Sequence, residues 1–268
     1  MNLRSWRAEE PSGLFSGMEE RPSETILQED EEICDLLRWG YRIIQKKNGF
    51  RFGIDAVLLA WFAGTVGPED RVIDLGSGTG VIPLLMDARN DGGSYLGLEI
   101  DPRMTEMASR SALLNGCEGR VHFVTGDLRE ASQRFGKSTF DIVTANPPYR
   151  KTGTGKLSPD PMKAAARHEV LCTLEDVVRE AAALLTEGGR FYMIHRAERF
   201  PEILSELGKH GLMVEKVRAV CPSEEKMANL MLIGAVKGEG TVPESEEPLF
   251  VYDKEGHYTQ EILDIYRE

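Results

Sequence analysis

The run Phe140–Ala145 is closed by Asn146-Pro147-Pro148-Tyr149. The asparagine side chain offers one carbonyl acceptor and one amide donor. The prolines lack an N–H, so the turn presents carbonyls with few competing donors. Tyr149 adds a π-face that can stack on a planar group. Together these residues suit the holding of a flat, amino-bearing acceptor. Upstream lies a glycine-rich turn, Asp74-Leu75-Gly76-Ser77-Gly78-Thr79-Gly80. Its glycines let backbone approach a ligand closely. Its spacing is G-x-G-x-G rather than the G-x-G-x-x-G of dinucleotide sites. The pair of turns implies transfer of a group from a nucleotide-like cofactor to a planar nitrogen.

Such turns need strands to carry them. Short apolar runs over Arg71–Leu75, Tyr95–Ile100, Val121–Thr125, Phe140–Ala145 and Arg190–Ile194 predict buried strands. Between and after them, Gly80–Asn90, Pro102–Asn115, Leu174–Leu185 and Pro201–His210 predict helices, and Leu212–Val220 and Asn229–Lys237 predict closing strands. A further helix is expected over Asp55–Ala63, with Asp55 as N-cap. This alternation specifies an α/β fold with a mostly parallel sheet covered on both faces. Asp74, Glu99, Asp127 and Asn146 then stand at the carboxyl ends of successive strands, where open α/β sheets bind ligands. Residues 1–32 read as an acidic, disordered tail. Residues 33–237 read as the domain, and 238–268 as an acidic linker and C-terminal extension.

The 268 residues carry a formal net charge of −12, which argues at first against a nucleic-acid partner. The distribution is more informative. Residues 1–37 and 238–268 are each net −7, whereas 38–51 are net +5 and 150–168 net +4. Arg42, Lys46 and Lys47 in one basic cluster, and Arg150, Lys151, Lys163, Arg167 and His168 in the other, are candidate phosphate contacts, or else solvated faces. Cys34, Cys117, Cys172 and Cys221 are scattered without a C-x-x-C pair, so neither a metal site nor a disulfide framework is expected. With no signal peptide and no apolar span, a cytoplasmic protein without membrane association is expected. No stable protein partner is evident. His122 and His195 read as core or rim residues, and Met227 and Met231 as packing.

The glycine turn with Glu99, Asp127 and Asn146 resembles the class I S-adenosylmethionine-dependent methyltransferases. The resemblance implies a Rossmann-like fold with a mostly parallel seven-stranded sheet, helices on both faces, and the last strand antiparallel. It implies that Gly76, Gly78 and Gly80 wrap the methionine and ribose of S-adenosylmethionine, with Asp74 near the zwitterionic end. It assigns Glu99 to the ribose hydroxyls and Asp127 to the adenine amino group, with Leu128 beside the ring. In such enzymes the Asn-Pro-Pro-Tyr turn marks transfer to a planar nitrogen. An exocyclic amine donates its lone pair to the ring and is a poor nucleophile. The Asn146 side-chain oxygen and the Pro147 carbonyl can accept both of its N–H groups and stabilise the positive charge it gains. Stacking on Tyr149 would add ~1–3 kcal/mol.

Phe52–Ala60, Ala166-Arg167-His168-Glu169, Lys226–Leu232, and the ending from Val251-Tyr252-Asp253 to Ile265-Tyr266 are similar to the bacterial valine-tRNA adenine-N6 methyltransferases. That similarity implies methylation of adenine 37, beside the anticodon. A glutamine-amide (N5) methyltransferase of a protein such as a release factor shares the turn; such enzymes carry a helical N-terminal substrate domain, and the short acidic stretch ahead of the cofactor-associated region here counts against that reading. A non-catalytic RNA-binding or ribosome-assembly factor on the same fold is the third reading. The complete set Asp74, Glu99, Asp127 and Asn146 counts against it.

Overall fold

The computed structural model describes residues 27–36, 40–48, 51–147, 172–240 and 242–267. A hairpin comes first, with Glu31–Asp35 (β1) antiparallel to Arg42–Lys46 (β2). Ile54–Phe62 (α1) follows, and then the alternation Arg71–Leu75 (β3), Val81–Arg89 (α2), Ser94–Glu99 (β4), Pro102–Leu114 (α3), Val121–Thr125 (β5), Ala131–Phe135 (α4) and Phe140–Ala145 (β6). The remaining elements are Leu174–Leu184 (α5), Leu185–Arg196 (β7), Phe200–Lys209 (α6), Leu212–Cys221 (β8), Leu230–Lys237 (β9), Glu244–Phe250 (β10) and Gln260–Arg267 (α7).

The main sheet runs β10-β8-β9-β7-β6-β3-β4-β5. Strands β3 to β7 are mutually parallel, and β9 is antiparallel to both of its neighbours. The expected seven strands are all present. An eighth, β10, extends the edge parallel to β8. It starts inside the stretch read as a linker, because Glu244–Pro248 has no apolar alternation to announce a strand. Its pairing shifts register between Glu246 and Leu249, around Pro248, which cannot donate to a ladder. Arg218 secures this edge. Its guanidinium donates to Glu247 O at 2.8 Å and to Glu261 at 2.5 Å, and lies 5.3 Å from the Trp61 ring.

The apolar strands are buried on both faces, so alternate side chains feed two cores. Val72, Tyr95, Ile142, Tyr192 and Ile194 face α1, α2, α3 and α7. Ile73, Leu75, Leu98, Val143, Phe191 and Met193 face α4, α5 and α6. Helix starts are specified locally. Asp101 accepts from Arg103 N ahead of Pro102, and Thr173 and Asp176 form a reciprocal capping box on α5. Asp55 does not cap α1 as expected. Gly53 holds that position, and Asp55 sits in the first turn, where it accepts from Ala56 N. Strand β1 reaches two residues into the expected tail. Residues 1–26 of that tail lie outside the described residues. Among the described residues, no helix is long and apolar enough to cross a membrane.

One close approach supports the site from below. A Cβ on Gly97 of β4 would overlap the Phe123 ring and lie 2.7 Å from Ser77 Oγ. Gly97→Ala is therefore expected to destabilise the protein by ~1–3 kcal/mol. Urea unfolding measures this, and an unchanged midpoint would mean that Phe123 has room to move.

Candidate active site

β3 and β6 are neighbours, with Leu75 opposite Ala145, so the glycine turn and Asn146 emerge side by side. From β3 the chain proceeds outward through β4 and β5, then crosses back to β6 on the other side. That reversal opens a crevice at the carboxyl ends of the strands. Glu99 ends β4, and Asp127 follows β5, where Gly126 N donates to Glu99 O at 2.8 Å. Asp74, Glu99, Asp127 and Asn146 are thus brought to one edge by four adjacent strands.

The three glycines of the turn have different surroundings. Gly76 (φ 77°) and Gly78 (φ 55°) adopt left-handed conformations, and a Cβ on either would meet nothing within 4 Å. They face open space that a ligand could fill. A Cβ on Gly80 would lie 2.5 Å from Phe123 Cζ, so Gly80 also serves packing. Gly76 N and Ser77 N both donate to Leu98 O, at 2.9 and 3.1 Å, fastening the turn to β4. Glu99 is held from both sides, with Oε2 accepting from Gly78 N at 2.9 Å and Oε1 from Asp101 N at 3.0 Å.

Asp74 is buried beneath this turn. Its Oδ1 accepts from the Thr144 hydroxyl at 2.7 Å, and its Oδ2 has no hydrogen-bond partner among the described residues. Burial pushes its carboxyl up to about 7; the Thr144 hydrogen bond opposes the rise and the nearby Glu99 charge adds to it. Ser77 Oγ is likewise buried and unpartnered. Buried oxygens of this kind beside open glycines fit a ligand that carries a cation and hydroxyl groups.

Asp127 is chelated by Arg129, whose Nε and Nη2 lie 2.9 and 2.5 Å from Oδ2. The guanidinium holds its carboxyl below the usual range. Arg129 was not anticipated from the sequence, although its position two residues after Asp127 was a usable signal. Leu128 starts a 3-10 turn and packs partly against the α5 side of the core. Asn146 is half-buried and Pro147 buried. Pro148, Tyr149, Arg150, Lys151, Lys163, Arg167 and His168 lie outside the described residues.

The first basic cluster is spread along the β1–β2 hairpin. Arg42 N donates to Asn115 Oδ1 at 2.8 Å, placing Arg42 beside the C-terminus of α3. Ile44 lies by Ser111, and Glu31, opposite Lys46, pairs with Arg110. The strand therefore climbs α3 toward the carboxyl edge, with Lys46 and Lys47 nearer that edge and Arg42 at the far end. Lys46 is paired with Asp30 at 2.6 Å and Glu31 at 3.3 Å, and Arg51 pairs with Glu32. Acids just upstream thus offset much of the +5 that residues 38–51 carry in isolation. Burial by itself would raise the Glu31 carboxyl, but Arg110 and Lys46 outweigh it and hold the group at about 2. His195 is fully buried on β7, as expected, and burial moves it down to about 4. Met231 packs against the core, whereas Met227 is 92% exposed in the β8–β9 connection, contrary to the packing role expected.

The crevice, its glycine turn and the ring of polar strand ends define a methyltransferase. Residues 67–249 match the family described as a methyltransferase domain, and the chain belongs to that family. Among individual relatives, it is 27% identical over 230 residues to a tRNA1(Val) (adenine(37)-N6)-methyltransferase of Porphyromonas gingivalis, covering 83% of this chain and 89% of the relative. A protein of the same name from Actinobacillus succinogenes is 27% identical over 85% of this chain and 93% of its own. A solved structure of a predicted O-methyltransferase from Agrobacterium tumefaciens superposes with a TM-score of 0.63 at 23% identity, covering 79% of this chain and 95% of that one. Geranyl diphosphate C-methyltransferase from Streptomyces coelicolor, solved with S-adenosyl-L-homocysteine, gives a TM-score of 0.53 at 15% identity, covering 69% of this chain and 78% of that one. These structural likenesses concern the fold.

Proposed function

We propose that this protein transfers a methyl group from S-adenosylmethionine to the N6 amino group of an adenine in tRNA, at position 37 of a valine tRNA. The observation that carries the reading is the adjacency of Asn146 and the glycine turn on neighbouring strands. It is supported by relatives named for that reaction over more than four-fifths of this chain. A tRNA substrate carries with it a cytoplasmic location.

S-adenosylmethionine supplies an electrophilic methyl on a sulfonium when bound. Gly76 and Gly78 would let backbone close on it, Glu99 would take the ribose hydroxyls, and Asp127 the adenine amino group. Asn146 and the Pro147 carbonyl orient the acceptor amine and stabilise the charge that builds on its nitrogen. Tyr149 would stack on the flipped base. No strong base is needed, because the nitrogen becomes acidic once the methyl has arrived.

Labelled methyl transfer into bulk unmodified tRNA and, in parallel, into a release factor separates the two enzymatic readings. Label in tRNA alone supports the proposal, and label in protein alone moves it to glutamine-amide chemistry. The basic clusters make a second prediction. Lys47→Glu and Lys151→Glu should each weaken tRNA binding and flatten the dependence of log K on log salt by about 1. Lys46 is a poorer choice, because reversal there also breaks its pair with Glu31. Unchanged slopes would make these lysines solvated surface.

A further inference from the structure

Thr144 is the polar residue in an otherwise apolar strand end, two positions before Asn146, and it is fully buried. It stands directly opposite Asp74 in the parallel register, on the same face of the sheet. Its hydroxyl donates to Asp74 Oδ1 at 2.7 Å, and no other donor reaches this carboxylate among the described residues. We propose that Thr144 is a positioning residue of the cofactor site: from the acceptor strand it fixes the Asp74 carboxylate beneath the glycine turn, so that the cofactor's cationic end meets a held negative charge. The inference rests on S-adenosylmethionine being the cofactor.

Two features make this more than a packing contact. First, a valine has the same shape as threonine and would fill the space equally well, so the hydroxyl itself does the work. Second, Asp74 is delicately poised. Burial and the charge of Glu99 on β4 favour its neutral form, and among the described residues the Thr144 hydroxyl favours the ionised one. Removing that donor pushes the group toward neutrality near physiological pH. The cofactor's α-ammonium then loses the charge that attracts it. The same hydrogen bond also joins the cofactor strand to the strand that carries Asn146.

The test is calorimetric binding of S-adenosylmethionine to the full chain from pH 5.5 to 8.5, comparing wild type with Thr144→Val and Thr144→Ser. Wild-type affinity should rise through a midpoint near the Asp74 value of about 7. Thr144→Val should shift that midpoint upward by about one pH unit or more, and lower affinity at pH 7 by about tenfold. Thr144→Ser keeps a donor and should restore the wild-type profile. If Thr144→Val fails to fold, Thr144→Ala against Thr144→Ser gives the same comparison. A wild-type profile in Thr144→Val, or serine behaving like valine, overturns the role of the hydroxyl. Absence of binding by wild type at every pH overturns the cofactor reading itself, and the inference with it.

Discussion

Asn146→Ala is expected to lower methyl transfer by about 10²-fold or more while changing S-adenosylmethionine affinity less than twofold. The asparagine follows β6, whereas the turn assigned to the cofactor follows β3 and is fastened to β4 through Leu98. The two are neighbours, but the turn is anchored on β4, by Gly76 N and Ser77 N to Leu98 O and by Gly78 N to Glu99. In the proposed mechanism, loss of the side-chain oxygen removes one of the two acceptors that align the amine and stabilise its developing charge. That interaction strengthens as the bond forms, so the loss should fall on kcat rather than on tRNA KM. Single-turnover kinetics with calorimetry on the same preparation measures both. Full turnover in the variant would contradict the alignment role.

Asp74→Asn should make the protein more stable and less able to bind its cofactor. The folded-state value of about 7 lies above the ordinary carboxylate value. The folded protein therefore holds this proton more tightly than the unfolded chain does. Below about pH 4 the group is protonated in both states and costs nothing. As pH rises toward 7 the unfolded chain ionises first and stability falls. Above 7 the full penalty remains. Asparagine keeps the shape without the charge, so the variant should match wild type near pH 4 and exceed it by ~2–4 kcal/mol at pH 8. Its affinity for S-adenosylmethionine should drop tenfold or more at pH 8. Such a trade of stability for binding is usual where a charge is buried for function. Thermal unfolding at the two pH values checks it. Identical curves at pH 8 would mean that the buried carboxylate is satisfied by partners other than Thr144.

Much of the site was legible because it sits at strand ends, and strands here announce themselves as apolar runs. Arg71–Leu75 and Phe140–Ala145 were readable with their boundaries, and the polar residue after each run falls at the carboxyl edge by construction. What escaped the sequence was lateral. Nothing in the chain says that Thr144 lies opposite Asp74, because that depends on β3 and β6 becoming neighbours across a reversal of strand order. The pairing of Lys46 with Asp30 and Glu31 needed the hairpin register. The first part of strand β10, Glu244–Pro248, was missed for another reason. β10 is an edge strand whose side chains are mostly exposed, with Leu249 its one fully buried apolar anchor, so it lacks the alternation by which strands are recognised. Met227 shows the opposite error, since an apolar residue in a connecting loop need not pack.

The proposed reaction takes place at one atom of one class of RNA. It is tested most directly by incubating the protein with S-adenosylmethionine and unmodified tRNA, then digesting the RNA to nucleosides for mass spectrometry. A new N6-methyladenosine peak is expected, absent when Asn146→Ala is used. Methylation at any other atom, or an N6-methyladenosine peak of equal size with the variant, would contradict it.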